Sequence, residues 1–122
     1  MNSYTAETNN CGTTRYYLNG KRHRDGDLPA VIYSNGDEYY YQNDELHRDG
    51  DKPALIYSDG HVEYYKDGEL HRDNGPAIIY SDGTVAYYLN GEKTKNWKLW
   101  YYISYLEIKK WLFFSLYSIN GK

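Results

Sequence analysis

The stretch Leu46–Gly60, which reads LHRDGDKPALIYSDG, decides the fold because it occurs in three copies. One copy precedes it, and a later copy ends at Gly83. His23, His47 and His71 lie 24 residues apart, although the loop of the third copy is one residue shorter than the others. A fixed period of this length is the sequence signature of a repeat protein.

Seven two-residue turn candidates punctuate the chain, and six of them are Asn-Gly or Asp-Gly. These residues accept the positive φ of a type I′ hairpin turn. Runs of β-branched and aromatic residues between the turns, such as Thr84–Tyr88, are typical of strands. The candidates are Asn19-Gly20, Asn35-Gly36, Asn43-Asp44, Asp59-Gly60, Asp67-Gly68, Asp82-Gly83 and Asn90-Gly91.

The repeats therefore predict an all-β fold: an antiparallel β-hairpin meander of about three units of 23–24 residues in an elongated, twisted sheet. Residues 1–11 form a polar N-terminal lead-in without the apolar region of a signal peptide, and residues 12–95 form the hairpin repeats. Residues 96–122 are aromatic and apolar, and no Gly or Pro interrupts them before Gly121. We predict that this last segment is a short helical cap.

Three interpretations of the C-terminal segment remain open: a cap on the chain's own sheet, a helix for dimerisation or a partner, and a membrane element. Charged residues such as Lys98 and Glu107 interrupt its apolar stretch, and we expect no membrane span because a span needs about 20 consecutive apolar residues. The candidate cap or oligomer contacts are Trp97, Trp100, Trp111 and Phe114.

Composition narrows the classes of function. The 122 residues suffice for one domain with a modest core. A net charge of −3 argues against a nucleic-acid partner, which usually needs a basic face. The single cysteine, Cys11, excludes an intramolecular disulfide. Together with the polar N-terminus, it leads us to expect a cytoplasmic location.

The tripeptide His-Arg-Asp occurs in each copy. It holds the catalytic base in protein kinases, but neither a Gly-rich phosphate loop nor Asp-Phe-Gly accompanies it here. We expect a structural trio in which the Asp closes the loop and the Arg pairs with that Asp. Successive histidines stand two strands apart, about 9–10 Å, which is too far for one zinc ion. We expect no enzyme activity, metal or cofactor.

The strings Tyr-x-Asn-Gly, Leu-His-x-Asp-Gly and Tyr-Ser-Asp-Gly-Thr resemble MORN repeats in a variant form. The segment His71–Ala77, which reads HRDNGPA, is similar to arrays in proteins of giant DNA viruses and some phages. The resemblance covers roughly residues 12–95 and departs from plain MORN repeats, because an Arg stands where a Gly would follow each His. It implies a repeat scaffold and a viral protein of the host cytoplasm or virion.

Two ladders of side chains form the candidate binding surface. The arginines would recur about every 10 Å and track a polyanion or an acidic partner, unless they are solvated or internally paired. The tyrosines would stack on carbohydrate or peptide, unless they pack across strands. The residues of this surface are Arg24, Arg48, Arg72, Tyr40, Tyr64 and Tyr87.

We therefore predict a non-catalytic repeat scaffold that mediates protein–protein interaction or self-assembly. The alternative is a binding module for glycans or anionic lipid head groups. The sequence leaves open whether the protein takes a small-molecule ligand.

Overall fold

Short strands joined by tight turns make up residues 1–95, the part of the chain that the structure, a computed structural model, describes. This part is all-β, as predicted, with fourteen strands. The predicted helical cap, with Trp97, Trp100, Trp111 and Phe114, lies outside the described residues. The strands are β1 (Tyr4–Thr8), β2 (Thr14–Leu18), β3 (Lys21–Arg22), β4 (Val31–Ile32), β5 (Glu38–Tyr39), β6 (Tyr41–Gln42), β7 (Glu45–Leu46), β8 (Leu55–Ile56), β9 (Val62–Glu63), β10 (Tyr65–Lys66), β11 (Glu69–Leu70), β12 (Ile78–Ile79), β13 (Val85–Leu89) and β14 (Glu92–Thr94).

Ten of these strands form one large antiparallel sheet in the order β1-β2-β4-β5-β8-β9-β12-β13-β14, with β3 beside β2. Two further pairs, β6-β7 and β10-β11, form separate two-stranded sheets. Sheet neighbours are either partners in one hairpin or strands of adjacent units. The predicted antiparallel β-hairpin architecture is confirmed.

A tyrosine in each unit marks the corner where a strand leaves the large sheet. β5 pairs with β4 and β8, whereas β6, separated from β5 by Tyr40 alone, pairs only with β7. Tyr40 donates its backbone N–H to the Ala54 carbonyl (2.7 Å), and its own carbonyl accepts the His47 N–H (3.1 Å). Both backbone groups of the corner residue are thereby satisfied.

Four of the seven predicted turns have the type I′ conformation, with positive φ at both central residues. In Asp67-Gly68, for example, φ is 50° and 83°. Stacked turns are joined through the backbone, since the Gly68 N–H donates to the Leu46 carbonyl of the preceding unit (2.9 Å). The four turns are Asn19-Gly20, Asn43-Asp44, Asp67-Gly68 and Asn90-Gly91.

The type I′ prediction is wrong at the other three turns, where only the glycine has positive φ. At Asp59-Gly60, the Tyr57 carbonyl accepts the Gly60 N–H (3.0 Å), and the Tyr57 N–H donates to the His61 carbonyl (2.9 Å). This is a three-residue loop with a glycine bulge. The Asp59 carboxylate accepts the His61 N–H (2.9 Å), so the acid serves a local hydrogen bond rather than positive φ.

A further turn with a positive-φ glycine at its end, which was not among the seven candidates, lies at residues 9–12. The Asn9 carbonyl accepts the Gly12 N–H, and the Asn9 side chain accepts the N–H groups of Cys11 and Thr13, all at 3.0 Å. The turn joins β1 to β2, so the lead-in of residues 1–11 contributes a strand to the sheet. The Cys11 thiol is free and exposed in this turn.

The core is thin and repeats with the units. Two consecutive residues are buried in each unit: Ala30-Val31, Ala54-Leu55 and Ala77-Ile78. The three alanines are fully buried. Burial contributes about 25 cal/mol per Å² of apolar surface, so such small side chains contribute only modestly, and polar contacts between units gain importance.

Gly60 provides a test of the bulged turn. Its φ is +93°, and no neighbouring atom lies within 4 Å of the position that a Cβ would take, so a side chain there costs backbone strain without crowding. We predict that Gly60→Val lowers the free energy of unfolding by about 1 kcal/mol or more, because a β-branched residue resists positive φ. Gly60→Asn should lose less, since Asn tolerates this region. Urea denaturation of both variants measures the difference, and equal midpoints would contradict the turn geometry.

Candidate functional site

The histidine of each His-Arg-Asp tripeptide joins two successive units. His47 Nε2 lies 2.8 Å from Asp49 Oδ1 in its own loop, and His47 Nδ1 accepts the backbone N–H of Asp67 in the next unit (3.0 Å). Because Nδ1 accepts this N–H, Nε2 is the ring nitrogen that donates to Asp49. The equivalent contacts are His23 with Asp25 and Asn43 (2.8 and 3.2 Å) and His71 with Asp73 and Asn90 (3.0 and 2.9 Å).

The arginine of the tripeptide joins its unit to the preceding one. Arg48 Nε and Nη2 donate to the two carboxylate oxygens of Asp27 (2.8 and 3.3 Å), and Nη1 donates to the Pro53 carbonyl (3.1 Å). The guanidinium lies 3.8 Å from the centre of the Tyr40 ring. Arg72 repeats this set with Asp51, Pro76 and Tyr64.

These contacts shift the pKa values of Asp27 and Arg72. Hydrogen bonds from Arg48 and then from Lys52 hold the pKa of Asp27 well below its usual range. The hydrogen bond to Asp51 raises the pKa of Arg72. The side chains of Arg48 and Arg72 are only 13% and 17% exposed, so they are largely enclosed by their own chain.

The structure thus brings together part of the predicted binding surface. Arg48 and Tyr40 form one stacked pair, and Arg72 and Tyr64 form another. Arg24 stacks on Tyr16, which was not a candidate. Tyr87 carries no stacked arginine among the described residues. In the earlier units the stacked arginine directly follows the residue opposite the tyrosine, whereas Lys95 follows Thr94, the strand partner of Tyr87. The sequence left open whether the arginines bind an acidic partner or are paired internally, and Arg48 and Arg72 are paired internally.

The expected pairing of each arginine with the adjacent aspartate is wrong. That aspartate binds the histidine, and the arginine binds the second acid of the preceding Asp-Gly-Asp loop. Gly50 and Asp51 both have positive φ (83° and 54°), and Asp51 meets Arg72 of the next unit. The sequence contained a sign of this pairing. The third loop, Asp73-Asn74-Gly75, lacks the second acid, and no later His-Arg-Asp follows it that would need this acid as a partner.

Grooves recur between successive loops on this side of the molecule. The groove between the first and second loops has a volume of about 410 Å³, and that between the second and third loops about 200 Å³. A third, of about 280 Å³, lies between β1 and the first loop. Tyrosines, arginines and aspartates line all three.

Five rings form an aromatic row on the large sheet. Successive ring centres lie 4.9, 5.8, 4.9 and 5.2 Å apart, with edge-on or tilted contacts. Tyr39 belongs to this row, and because it neighbours Tyr40 in the chain, the two side chains leave the strand in opposite directions. The row consists of Tyr33, Tyr39, Tyr57, His61 and Tyr80.

Hydrogen bonds and burial hold parts of this row in place. Glu63 accepts from the Tyr65 hydroxyl (3.0 Å) and lies 2.9 Å from His61 Nε2. Burial raises the pKa of the Tyr39 hydroxyl. Sequence reasoning missed the row because its members come from different strands and turns. Only Tyr33, Tyr57 and Tyr80 share a sequence context, since each precedes a serine at the end of a strand.

Comparisons with protein-family models, curated proteins and solved structures found no match. Within residues 1–95, no group of three or more His, Cys, Asp or Glu side chains could hold a metal ion. The same residues include no helix long and apolar enough to cross a membrane.

The histidine contact can be tested at His47. We predict that His47→Phe lowers the free energy of unfolding by about 0.5–1.5 kcal/mol, because it removes the hydrogen bond that the Asp67 N–H donates to His47. His61→Phe is the matched control, since the two side chains are 16% and 17% exposed and only His47 accepts a backbone N–H of the next unit. Urea denaturation measures both, and equal losses would contradict a linking role for His47.

Asp27 gives a prediction for pH. A carboxyl whose pKa is lower in the folded than in the unfolded chain contributes stability that is present above the unfolded value, about 3.9, and is lost as the pH falls through the folded value. Because Arg48 and Lys52 lower the pKa of Asp27, we predict that Asp27→Asn flattens the fall in urea midpoint below about pH 4.

Asp59→Asn is the control for this pH experiment. Asp59 accepts the backbone N–H of His61 inside its own turn, and Asn keeps the accepting oxygen. The flattening should be larger for Asp27→Asn than for Asp59→Asn, because only Asp27 of the two pairs with Arg48 and Lys52. An Asp27→Asn profile parallel to that of the wild type would contradict the coupling of Asp27 to the two cations.

Proposed function

We propose that the chain is a non-catalytic repeat scaffold that binds other proteins or copies of itself. The observation that carries this proposal is the engagement of the His-Arg-Asp residues in contacts between neighbouring units. Arg48, for example, uses Nε, Nη1, Nη2 and the face of its guanidinium on groups of its own chain. Side chains that suggested chemistry in the sequence thus support an extended, ordered surface.

The aromatic row is the surface that we propose for the partner. Tyr80 at its end is 41% exposed, and Tyr33, Tyr39, Tyr57 and His61 are half-buried. Tyrosine is enriched at protein interfaces because its ring offers apolar contact area and its hydroxyl offers a hydrogen bond. A row fixed by edge-on contacts also loses little side-chain entropy on binding.

The same proposal includes the family and the setting. We propose that the array is a variant of MORN repeats in a viral protein of the host cytoplasm or virion, and the His-Arg-Asp tripeptide followed by Pro-Ala in each copy supports this assignment. The C-terminal segment, with Trp97, Trp100, Trp111 and Phe114, caps the array or joins two copies.

A binding module for glycans is the second candidate, and the recurring grooves favour it. The groove between the second and third loops places Tyr64 beside carboxylates and histidines, and sugars combine an apolar face with hydroxyl groups that such residues satisfy. Anionic lipid head groups have less support, because Arg48 and Arg72 already hold the carboxylates of Asp27 and Asp51.

Sedimentation velocity of the full chain at rising concentration tests the scaffold proposal. We predict a mass that increases with concentration, and a decrease in that mass for Tyr80→Arg, because a charge at the row opposes its burial. Val85→Arg is the control, since Val85 is 45% exposed and lies outside the row. A full chain that stays monomeric up to about 100 μM, a range in which weak specific contacts form, would contradict self-assembly. A change in tyrosine fluorescence on adding soluble oligosaccharides to that monomer would favour the glycan module.

A further inference from the structure

Arg24 begins the arginine ladder and is anchored like Arg48 and Arg72. Its guanidinium lies 3.8 Å from the centre of the Tyr16 ring, and its Nη1 donates to the Pro29 carbonyl (3.3 Å). These two contacts match those of Arg48 with Tyr40 and Pro53. The guanidinium plane of Arg24 is therefore oriented by the same constraints as the others.

Arg24 differs from the others in its carboxylate partner. Arg48 and Arg72 each bind an aspartate that lies 21 residues earlier, at Asp27 and Asp51. The same count back from Arg24 reaches Ser3, which leads into β1 instead of forming an Asp-Gly-Asp loop. Within residues 1–95, no carboxylate pairs with Arg24.

An open groove adjoins Arg24. It has a volume of about 280 Å³ and is lined by Tyr4, Thr5 and Ala6 of β1 on one side and by Tyr16 and Arg24 on the other. β1 stands at one end of the sheet order and is exposed along its whole length. An extended peptide can therefore enter the groove beside an edge strand, where backbone groups are available for pairing.

Asp25 is the acidic group that faces this groove, and its charge does not prevent the binding of a second carboxylate. Its Oδ1 lies 2.8 Å from His23 Nε2, and its Oδ2 accepts from the Tyr4 hydroxyl (2.8 Å). In the next unit, Asp49 occupies the equivalent place beside Arg48, and Arg48 nevertheless binds Asp27.

We propose that this groove binds an acidic peptide segment of a partner protein, whose Asp or Glu carboxylate receives the Nε and Nη2 donors of Arg24. The ligand would reproduce the contact that Asp27 and Asp51 make inside the array. Bidentate pairing of this kind combines charge with fixed geometry, and the pre-oriented guanidinium loses little conformational entropy on binding. The inference rests on the proposed scaffold function and names the chemistry of its partner.

Arginine side-chain NMR on the isotope-labelled full chain provides the test. The probe is a synthetic peptide with the sequence of residues 46–56, which contains Asp51, and the matched probe carries Asn in place of that aspartate. We predict that the Nε–H signal of Arg24 shifts to saturation with the first peptide. The signals of Arg48 and Arg72 should stay in place because their carboxylates are already bound.

Arg24→Lys keeps the positive charge but cannot form the bidentate hydrogen bonds, and it should weaken peptide binding by about tenfold or more. Unchanged Arg48 and Arg72 signals in this variant show that the fold is retained. The proposal is overturned if Arg24 does not shift, if all three arginines shift alike, or if the Asn peptide binds as tightly. The proposal is also overturned if the peptide binds to the Glu107→Gln variant but not to the wild type, because the Glu107 carboxylate of the chain itself then occupies the groove.

Sedimentation of the same samples separates this inference from the proposed function. Peptide binding by a chain that does not self-associate contradicts only the assembly proposal. Self-association that Tyr80→Arg abolishes, without any peptide binding at Arg24, contradicts only the acidic-peptide site.

Discussion

A core of one alanine and one Val, Leu or Ile per unit limits how far the hydrophobic effect can hold this sheet together. Ala30, Ala54 and Ala77 are fully enclosed where the strands turn their corners, and a larger side chain would have to displace its neighbours. Most internal strands are only two residues long in the large sheet, so each contributes few ladder hydrogen bonds. The cohesion between units must therefore come largely from side chains around the corners.

The polar side chains supply this cohesion in two directions. Each histidine reaches forward to a turn of the next unit, and Arg48 and Arg72 reach back to an aspartate of the preceding one. Every such contact joins adjacent units only, which is the condition under which the stability of a repeat protein is a sum of unit and nearest-neighbour contributions. At the far end, Thr94 stands in the place of the histidine opposite Tyr87, and its hydroxyl oxygen is buried without a hydrogen bond to the described residues.

The period and the turn residues predicted the fold because both act locally. Asn, Asp and Gly accept positive φ within two residues, and type I′ geometry followed at three Asn-Gly or Asp-Gly turns and at Asn43-Asp44. The three bulged turns were missed because the Asp or Asn before glycine serves equally well as a local acceptor, as Asn35 and Asp59 do. The corner at Tyr40 could not be predicted, since it depends on which strand Ala54 brings alongside.

The sequence predicted which residue types form the candidate site, but not which of these residues bind each other. Arg48 and Tyr40 were both candidates, yet their stacking depends on a loop that folds back over the corner. The partner of Arg48 lies 21 residues away, at Asp27, whereas adjacency in the sequence favoured Asp49. Contacts across units follow from the three-dimensional stacking of loops, and a single sequence shows only which residues are available for them.

The constant separation of 21 residues between each aspartate and its arginine has a consequence for how the gene can change. Recombination between the similar repeats that inserts or deletes one whole copy keeps every such pair in register. An insertion or deletion inside a strand that lies between the two residues instead shifts the register of the sheet and moves the arginine away from its aspartate. Length variation in this array should therefore occur by copy number, and each added copy widens the sheet by two strands, about 10 Å.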